Sequence, residues 1–296
     1  MLGGGGSASA YETGYFWGLL NYDTPENIAT GKYEYDMVTG VSGGSINAIA
    51  FAGWKKGDEK NLADWLTEAW RHLHTKDVFK LWSGWDPIRK GLFEESGVLD
   101  DGPLTNKMNE IIAEVGALNS NDFERMIRVD AMDANSGSLI GFTEKDVAWK
   151  DFAKVNVASA SLPGVFPSTK YGDHVFIDGG VVWGANLAGA VNKCRDVVDS
   201  DNKIVVDMLI THASSKQAGK ESKNALTNYM RSKAIKDYWN GVAALRKFIV
   251  DFPNVTYRHF AIPSENIGPG PTRLDFEDNF TWHMQEVGRK DCKRDL

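Results

Sequence analysis

The sequence predicts one α/β domain built around a mostly parallel sheet. Short apolar runs of strand type alternate with segments of helical period along the chain, the pattern of successive βα units. The run from Lys203 to Thr211 is dominated by apolar residues, as in a parallel strand covered on both faces. No internal repeat or linker-like stretch divides the 296 residues, of which 42% are hydrophobic, so one substantial core is expected.

Taken in order, the chain opens on Gly3-Gly4-Gly5-Gly6-Ser7-Ala8-Ser9 and then reads as a helix from Ala10 to Leu20. Polar turn residues follow from Asn21 to Gly31, with Pro25 as a breaker. Tyr35 to Val41 is a short strand that runs into Gly40-Val41-Ser42-Gly43-Gly44, and small residues continue it as a helix through Ala52. Asn61 to Leu73 is an amphipathic helix carrying Leu62, Trp65, Leu66 and Trp70 on one face. Lys76 to Leu99 is irregular, and Leu104 to Val115 is a second amphipathic helix. Met126 to Ala131 and Ser138 to Phe142 are paired strands turned at Asn135-Ser136-Gly137. A small-residue helix from Val155 to Ser161 ends at Pro163, and the strand Val175 to Ile177 leads straight into Asp178-Gly179-Gly180. After the strand at 203–211 come a long surface helix from Ala225 to Ile249 and a late strand from Val255 to Ile262. The single domain is taken as residues 1–280, with 281–296 a polar, charged tail expected to pack loosely.

The net charge of -7 gives no basic footprint for nucleic acid. Lipid contact would therefore lean on apolar and aromatic groups rather than on attraction to anionic headgroups. Cys194 and Cys292 leave one disulfide or two free thiols open, in no metal-ligand spacing. No Asp-x-Asp-x-Asp-Gly calcium loop occurs, and no apolar run reaches the roughly 18 residues of a transmembrane segment. The glycine run from the third residue leaves no room for a signal peptide, and the abrupt start reads as a processed or truncated chain. Localisation stays open between cytoplasmic and secreted.

Ser42 is the candidate nucleophile. A serine thrown out of a sharp strand-to-helix turn has a strained backbone, and side chains two residues either side would collide; Gly40 and Gly44 supply the room. The helix that follows aims free N–H groups and its positive dipole end at the same place. Four consecutive glycines serve neither helix nor strand stability. Gly4, Gly5 and Gly6 could instead converge backbone amides on an oxyanion, while neither phosphate-loop spacing is present. A flexible linker is the bland alternative. Asp178 stands at a strand's carboxyl end, where open α/β sheets place functional groups, with Gly179 and Gly180 allowing close backbone approach. An ordinary Asp-Gly turn explains it equally well.

Four blocks in register resemble the patatin-like phospholipases. They are Gly4-Gly5-Gly6-Ser7-Ala8-Ser9-Ala10-Tyr11-Glu12, Gly40-Val41-Ser42-Gly43-Gly44-Ser45-Ile46-Asn47-Ala48, Ala158-Ser159-Ala160-Ser161-Leu162-Pro163-Gly164-Val165-Phe166-Pro167, and Asp178-Gly179-Gly180. The resemblance spans the first two thirds of the chain. It implies a single-domain three-layer α/β sandwich in which Ser42 and Asp178 form a catalytic dyad without histidine or metal, and in which Gly4 to Gly6 form the oxyanion hole. It implies no cofactor, a lipid ester substrate (phospholipid, lysophospholipid or acylglycerol), and is compatible with peripheral membrane contact. Ala8 and Ser9 stand where the family has a basic residue and then glycine, and Ala188 where it often has proline after an asparagine matched by Asn186.

Two other readings stay open. An α/β-hydrolase triad would need a late histidine, with His259 and His283 as candidates; His72, His74, His174 and His212 show no partner pattern. A catalytically impaired lipid-binding homologue would keep the fold, and the Ala8-Ser9 departure is its support. Trp65, Trp70, Trp82 and Trp85 are read either as core or as an acyl groove or interfacial lid.

Overall fold

The computed structural model describes residues 1–211, 225–265 and 274–296. A turn of 3-10 helix at Gly6–Ser9 leads into α1 (Ala10–Tyr22), followed by α2 (Pro25–Ala29), β1 (Met37–Val41) and α3 (Gly43–Gly53). Then come α4 (Glu59–Arg71), α5 (Thr75–Val78), β2 (Lys80–Leu81), α6 (Pro87–Phe93), β3 (Leu99–Asp100) and α7 (Gly102–Leu118). The middle of the chain holds β4 (Met126–Asp133), β5 (Leu139–Thr143), α8 (Phe152–Ser159), β6 (Thr169–Tyr171) and β7 (His174–Asp178). It closes with α9 (Leu187–Cys194), β8 (Val205–Leu209), α10 (Ala225–Asp251), β9 (Thr256–Ala261) and α11 (Asp278–Asp295).

Parallel pairing runs across the molecule. β9 pairs with β8, Leu2 bridges both Leu209 of β8 and Gly40 of β1, and β1 pairs with β4. β5, β7 and β6 complete the sheet in antiparallel fashion. The register around β4 positions the site. β5 occupies one edge, with Gly141 opposite Asp130 and Ile140 opposite Ala131. The other edge is shared: β1 runs along it as far as Val41 opposite Asp130, and β7 comes the other way to end with Asp178 opposite Ala131. The ends of β1 and β7 therefore meet head to head on adjacent residues of one strand. Whatever follows Val41 must emerge beside Asp178.

Strand alternation sends side chains to two apolar layers. Val206 and Met208 of β8 pack with Leu187 and Val191 of α9, with Phe248 of α10 and with Phe252 just beyond it. Leu209 and Val38 belong instead to the larger core with α1, α3, α4, α7 and α8. Helices thus cover both faces, the three-layer α/β sandwich that the resemblance implies. Helix α1 is buried on nearly all sides, which is why its apolar residues show no single stripe.

The expected loose tail is instead part of the core. Helix α11 lies along α1, and it does so because glycines face the contact. A Cβ on Gly14 would overlap the Gln285 backbone, and one on Gly288 would overlap the Tyr11 carbonyl. Buried polar groups lock the pair: Gln285 Nε2 donates to Thr13 Oγ1 at 3.2 Å and Thr67 O at 3.0 Å, and Tyr11 Oη to Asp291 Oδ2 at 3.3 Å. Charged residues on the outer face hide this role from a composition reading. Two further departures have local causes. Pro25 starts α2 rather than breaking the chain, since proline at the first helical turn sacrifices no hydrogen bond and Thr24 Oγ1 caps Asn27 N–H at 3.2 Å. Helix α9, absent from the expectation, is capped by Asn186, whose Oδ1 accepts from Gly189 N–H at 2.9 Å. Both cysteines are free thiols, Cys292 buried in α11.

The tryptophans divide. Trp70 is core, stacked on Phe276, and Trp65 is half-buried against Trp54. Trp85 is fully exposed.

Candidate active site

Between β1 and α3 the chain turns on Ser42, whose φ of +52° and ψ of -127° lie outside the ordinary regions for an L-residue. The glycines on either side let this happen. A Cβ on Gly40 would sit 2.5 Å from Gly44 O, and one on Gly44 would sit 2.6 Å from Gly3 O. The strained residue is held at both ends. Its N–H donates to Ser159 Oγ at 2.9 Å, and Ser159 in turn donates to Asp130 O at 2.7 Å. Its carbonyl accepts from Ser45 Oγ at 2.6 Å, while Asn156 Nδ2 donates to Ser45 O at 2.6 Å.

The Ser42 hydroxyl donates to Asp178 Oδ2 at 2.6 Å. Asp178 is 3% exposed; its Oδ1 accepts from Gly180 N–H at 2.6 Å and its own N–H donates to Ser161 O at 2.9 Å. Gly179 is pressed on the β4 backbone, where a Cβ would overlap Asp130 O. The two residues singled out from the sequence are thus in direct contact, and Gly40, Gly44, Gly179 and Gly180 all surround that contact.

The glycine-rich loop lies against the same turn. A Cβ on Gly4 would be 3.1 Å from Ser42 Cβ, and one on Gly43 would be 2.6 Å from Gly6 O. One of the three expected oxyanion donors is already engaged: Gly4 N–H donates to Gly184 O at 2.8 Å, turned there by the close pass of the 184 segment. The Gly5 and Gly6 amides have no partner among the described residues, nor does that of Gly43 at the start of α3. Gly6 has a φ of +57°, a left-handed conformation suited to glycine. Ala8 and Ser9 are wholly buried, so no cationic side chain accompanies the loop from position 8.

A buried network behind the loop was not singled out from the sequence. Glu12 Oε1 accepts from Gly3 N–H at 2.6 Å, Glu12 Oε2 from Asn47 Nδ2 at 2.8 Å, and Asn47 Oδ1 from Trp70 Nε1 at 2.6 Å. This chain ties the loop to α1, α3 and α4. Burial pushes the Glu12 carboxyl up to about 8, opposed by the Asn47 and Gly3 donors. A legible sign was available: Glu12, Asn47 and Ser159 are polar residues set among small or apolar ones in segments otherwise read as core.

Histidines stand in other settings. His72 and His74 face Glu68 and Asp77 respectively, at 3.6 and 3.4 Å, and His174 Nδ1 lies 3.0 Å from Asp133 Oδ2. His259 packs against the Tyr15 and Tyr33 rings on a cavity of about 300 Å³, and His283 is exposed on α11. His212 lies outside the described residues. Among those described, no cluster of three His, Cys, Asp or Glu side chains is placed to hold a metal ion, and no helix is long and apolar enough to cross a membrane.

The patatin-like phospholipase family model matches residues 1–191, a span that includes the glycine loop, Ser42, Ser159 and Asp178. No curated protein matches the chain. The chain belongs to the patatin-like phospholipase family, and membership places it among lipid acyl hydrolases in general.

Proposed function

We propose that this member of the family hydrolyses carboxylic esters of phospholipids, lysophospholipids or acylglycerols through a Ser42–Asp178 dyad and an acyl-enzyme. The observation that carries the reading is the 2.6 Å bond from Ser42 Oγ to Asp178 Oδ2 at a strained strand-to-helix turn. Ser42 Oγ attacks the ester carbonyl carbon while Asp178 takes its proton. The negative charge that forms on the carbonyl oxygen is met by the amides of Gly5, Gly6 and Gly43, fixed donors whose value rises in a water-poor site. Collapse breaks the ester C–O bond, and the leaving alcohol receives the proton held by Asp178. Water then attacks the acyl-serine, giving its proton to Asp178. Breakdown releases the fatty acid and returns that proton to Ser42. A carboxylate is a weak base toward serine, so the reading asks for a site that keeps bulk water away from the proton transfer, and Asp178 is almost wholly buried.

The experiment is a panel of phosphatidylcholine, lysophosphatidylcholine and diacylglycerol, assayed with a chelator present. Wild type should release fatty acid, and Ser42→Ala and Asp178→Asn should each lose at least about a thousandfold in kcat. Full activity in either variant overturns the assignment.

A further inference from the structure

The segment between β2 and β3 carries the most exposed apolar surface near the site. Trp85 is 102% exposed, Phe93 78%, Ile88 61% and Leu92 55%, all within nine residues on and before the short α6. Soluble surfaces seldom leave large apolar side chains clustered this way unless something covers them. The segment is fastened to the loop that leads to the dyad. Gly97 bridges Gly164, Leu99 N–H donates to Val165 O at 2.9 Å, and Ser168 N–H to Ser96 Oγ at 2.8 Å. That loop begins at Ser161, whose carbonyl holds the Asp178 amide. On the other side of Asp178, Val181 and Val182 are also half exposed.

We propose that Trp85, Ile88, Leu92 and Phe93 form a docking surface for a zwitterionic lipid surface, seating the protein with the dyad beside its substrate. The proposal rests on the lipid-ester reading of the Ser42 site, which supplies the reason for an apolar face at this place. Charge selects the kind of lipid. Residues 80–95 contain three basic and three acidic side chains, a net charge of zero. The basic ones are paired: Arg89 with Glu94 at 2.7 Å, Lys90 with Glu95 at 3.8 Å and Lys80 with Asp100 at 3.5 Å. No basic excess is left to seek anionic headgroups, so attachment must come from apolar insertion. Trp82 suits the boundary, its Nε1 donating to Gly97 O at 3.0 Å while the Lys90 ammonium sits 5.0 Å from its ring.

The test uses the full chain carrying Ser42→Ala, so that binding is read without turnover, in sedimentation with phosphatidylcholine vesicles. Adding Trp85→Ala and Phe93→Ala should lower the partition constant by at least about tenfold, the loss of two inserted apolar side chains. Leu118→Ala, which removes a 58% exposed leucine at the end of α7, should leave it unchanged. Thermal denaturation should show all variants folded. The proposal is overturned if the parent does not bind these vesicles, if the double substitution leaves partition unchanged, or if Leu118→Ala weakens it equally. Binding only to vesicles containing anionic lipid overturns it as well. So does a chain that runs as a dimer and becomes monomeric on the double substitution, since the face then covers a second copy. Failure of wild type to hydrolyse any lipid would instead remove the functional reading, and is scored separately.

Discussion

Replacing Ser159 by alanine tests how the proposed nucleophile, Ser42, is held. Its hydroxyl accepts from Ser42 N–H at 2.9 Å and donates to Asp130 O at 2.7 Å, and the residue is completely buried. Alanine leaves the Ser42 N–H facing a methyl group with no water to replace the lost acceptor. A buried unsatisfied backbone group costs about 1–3 kcal/mol. The backbone strain at Ser42 is of similar size, about 1–3 kcal/mol, and persists only while the surroundings enforce it. If the loss falls on presentation of the hydroxyl, it corresponds to a fall in kcat of about 5- to 150-fold. Steady-state hydrolysis of p-nitrophenyl butyrate separates the effects, because this short soluble ester needs little of the lipid groove. Expected are a reduced kcat, a KM close to wild type and a lower Tm. A kcat within twofold of wild type, with Tm unchanged, would refute the claim that Ser159 holds the elbow.

Other predictions follow from the same structure. His259→Gln and His283→Gln should each leave ester hydrolysis largely intact, because the proposed Ser42–Asp178 dyad uses no histidine; loss of activity in either would revive the triad reading. Gly288→Ala should destabilise the chain by about 1–3 kcal/mol in urea denaturation, since its methyl group would press on the Tyr11 carbonyl where α11 crosses α1. A stability identical to wild type would show that the two helices separate at little cost. The Glu12 carboxyl, raised by burial to about 8 from an ordinary value of 4.5, holds its proton in the folded chain over a range where the unfolded chain has lost it. Its contribution is therefore complete below about 4.5 and fades as pH rises through 8, by about 1.4 kcal/mol per unit while the two states differ by one proton. Denaturation midpoints measured across that window should decline, and Glu12→Gln should flatten the decline; an equal slope in both proteins contradicts the assignment.

Much of the architecture was legible because periodicity and punctuation agreed. The paired strands around Gly137, the Ser42 turn and the strand ending at Asp178 all appear where the residue pattern places them. The contact between Ser42 and Asp178 was not readable from spacing alone. It depends on β1 and β7 sharing one edge of β4, and an antiparallel β7 cannot be told from a parallel one by composition. Helix α11 was missed for a different reason. Its inward face mixes Met284, Val287 and Cys292 with Gln285, Gly288 and Asp291, so close backbone approach and buried polar contacts interrupt the hydrophobic stripe that would announce a core helix. The Gly4 amide was assigned to an oxyanion because glycine runs suit converging donors, yet which amide remains unpaired is decided by Gly184, far along the chain. Trp70 and Trp85 show the same limit: identical residue types lie in the core and in full solvent, and only Trp70 had helical spacing to announce its place.

The proposed chemistry turns on the reactivity of one hydroxyl. Mass spectrometry after treatment with a fluorophosphonate should find one adduct per chain, carried on the peptide containing Ser42, and Asp178→Asn should suppress it. An unlabelled wild-type chain, or an adduct on another serine, would contradict the dyad and leave a lipid-binding protein without its chemistry.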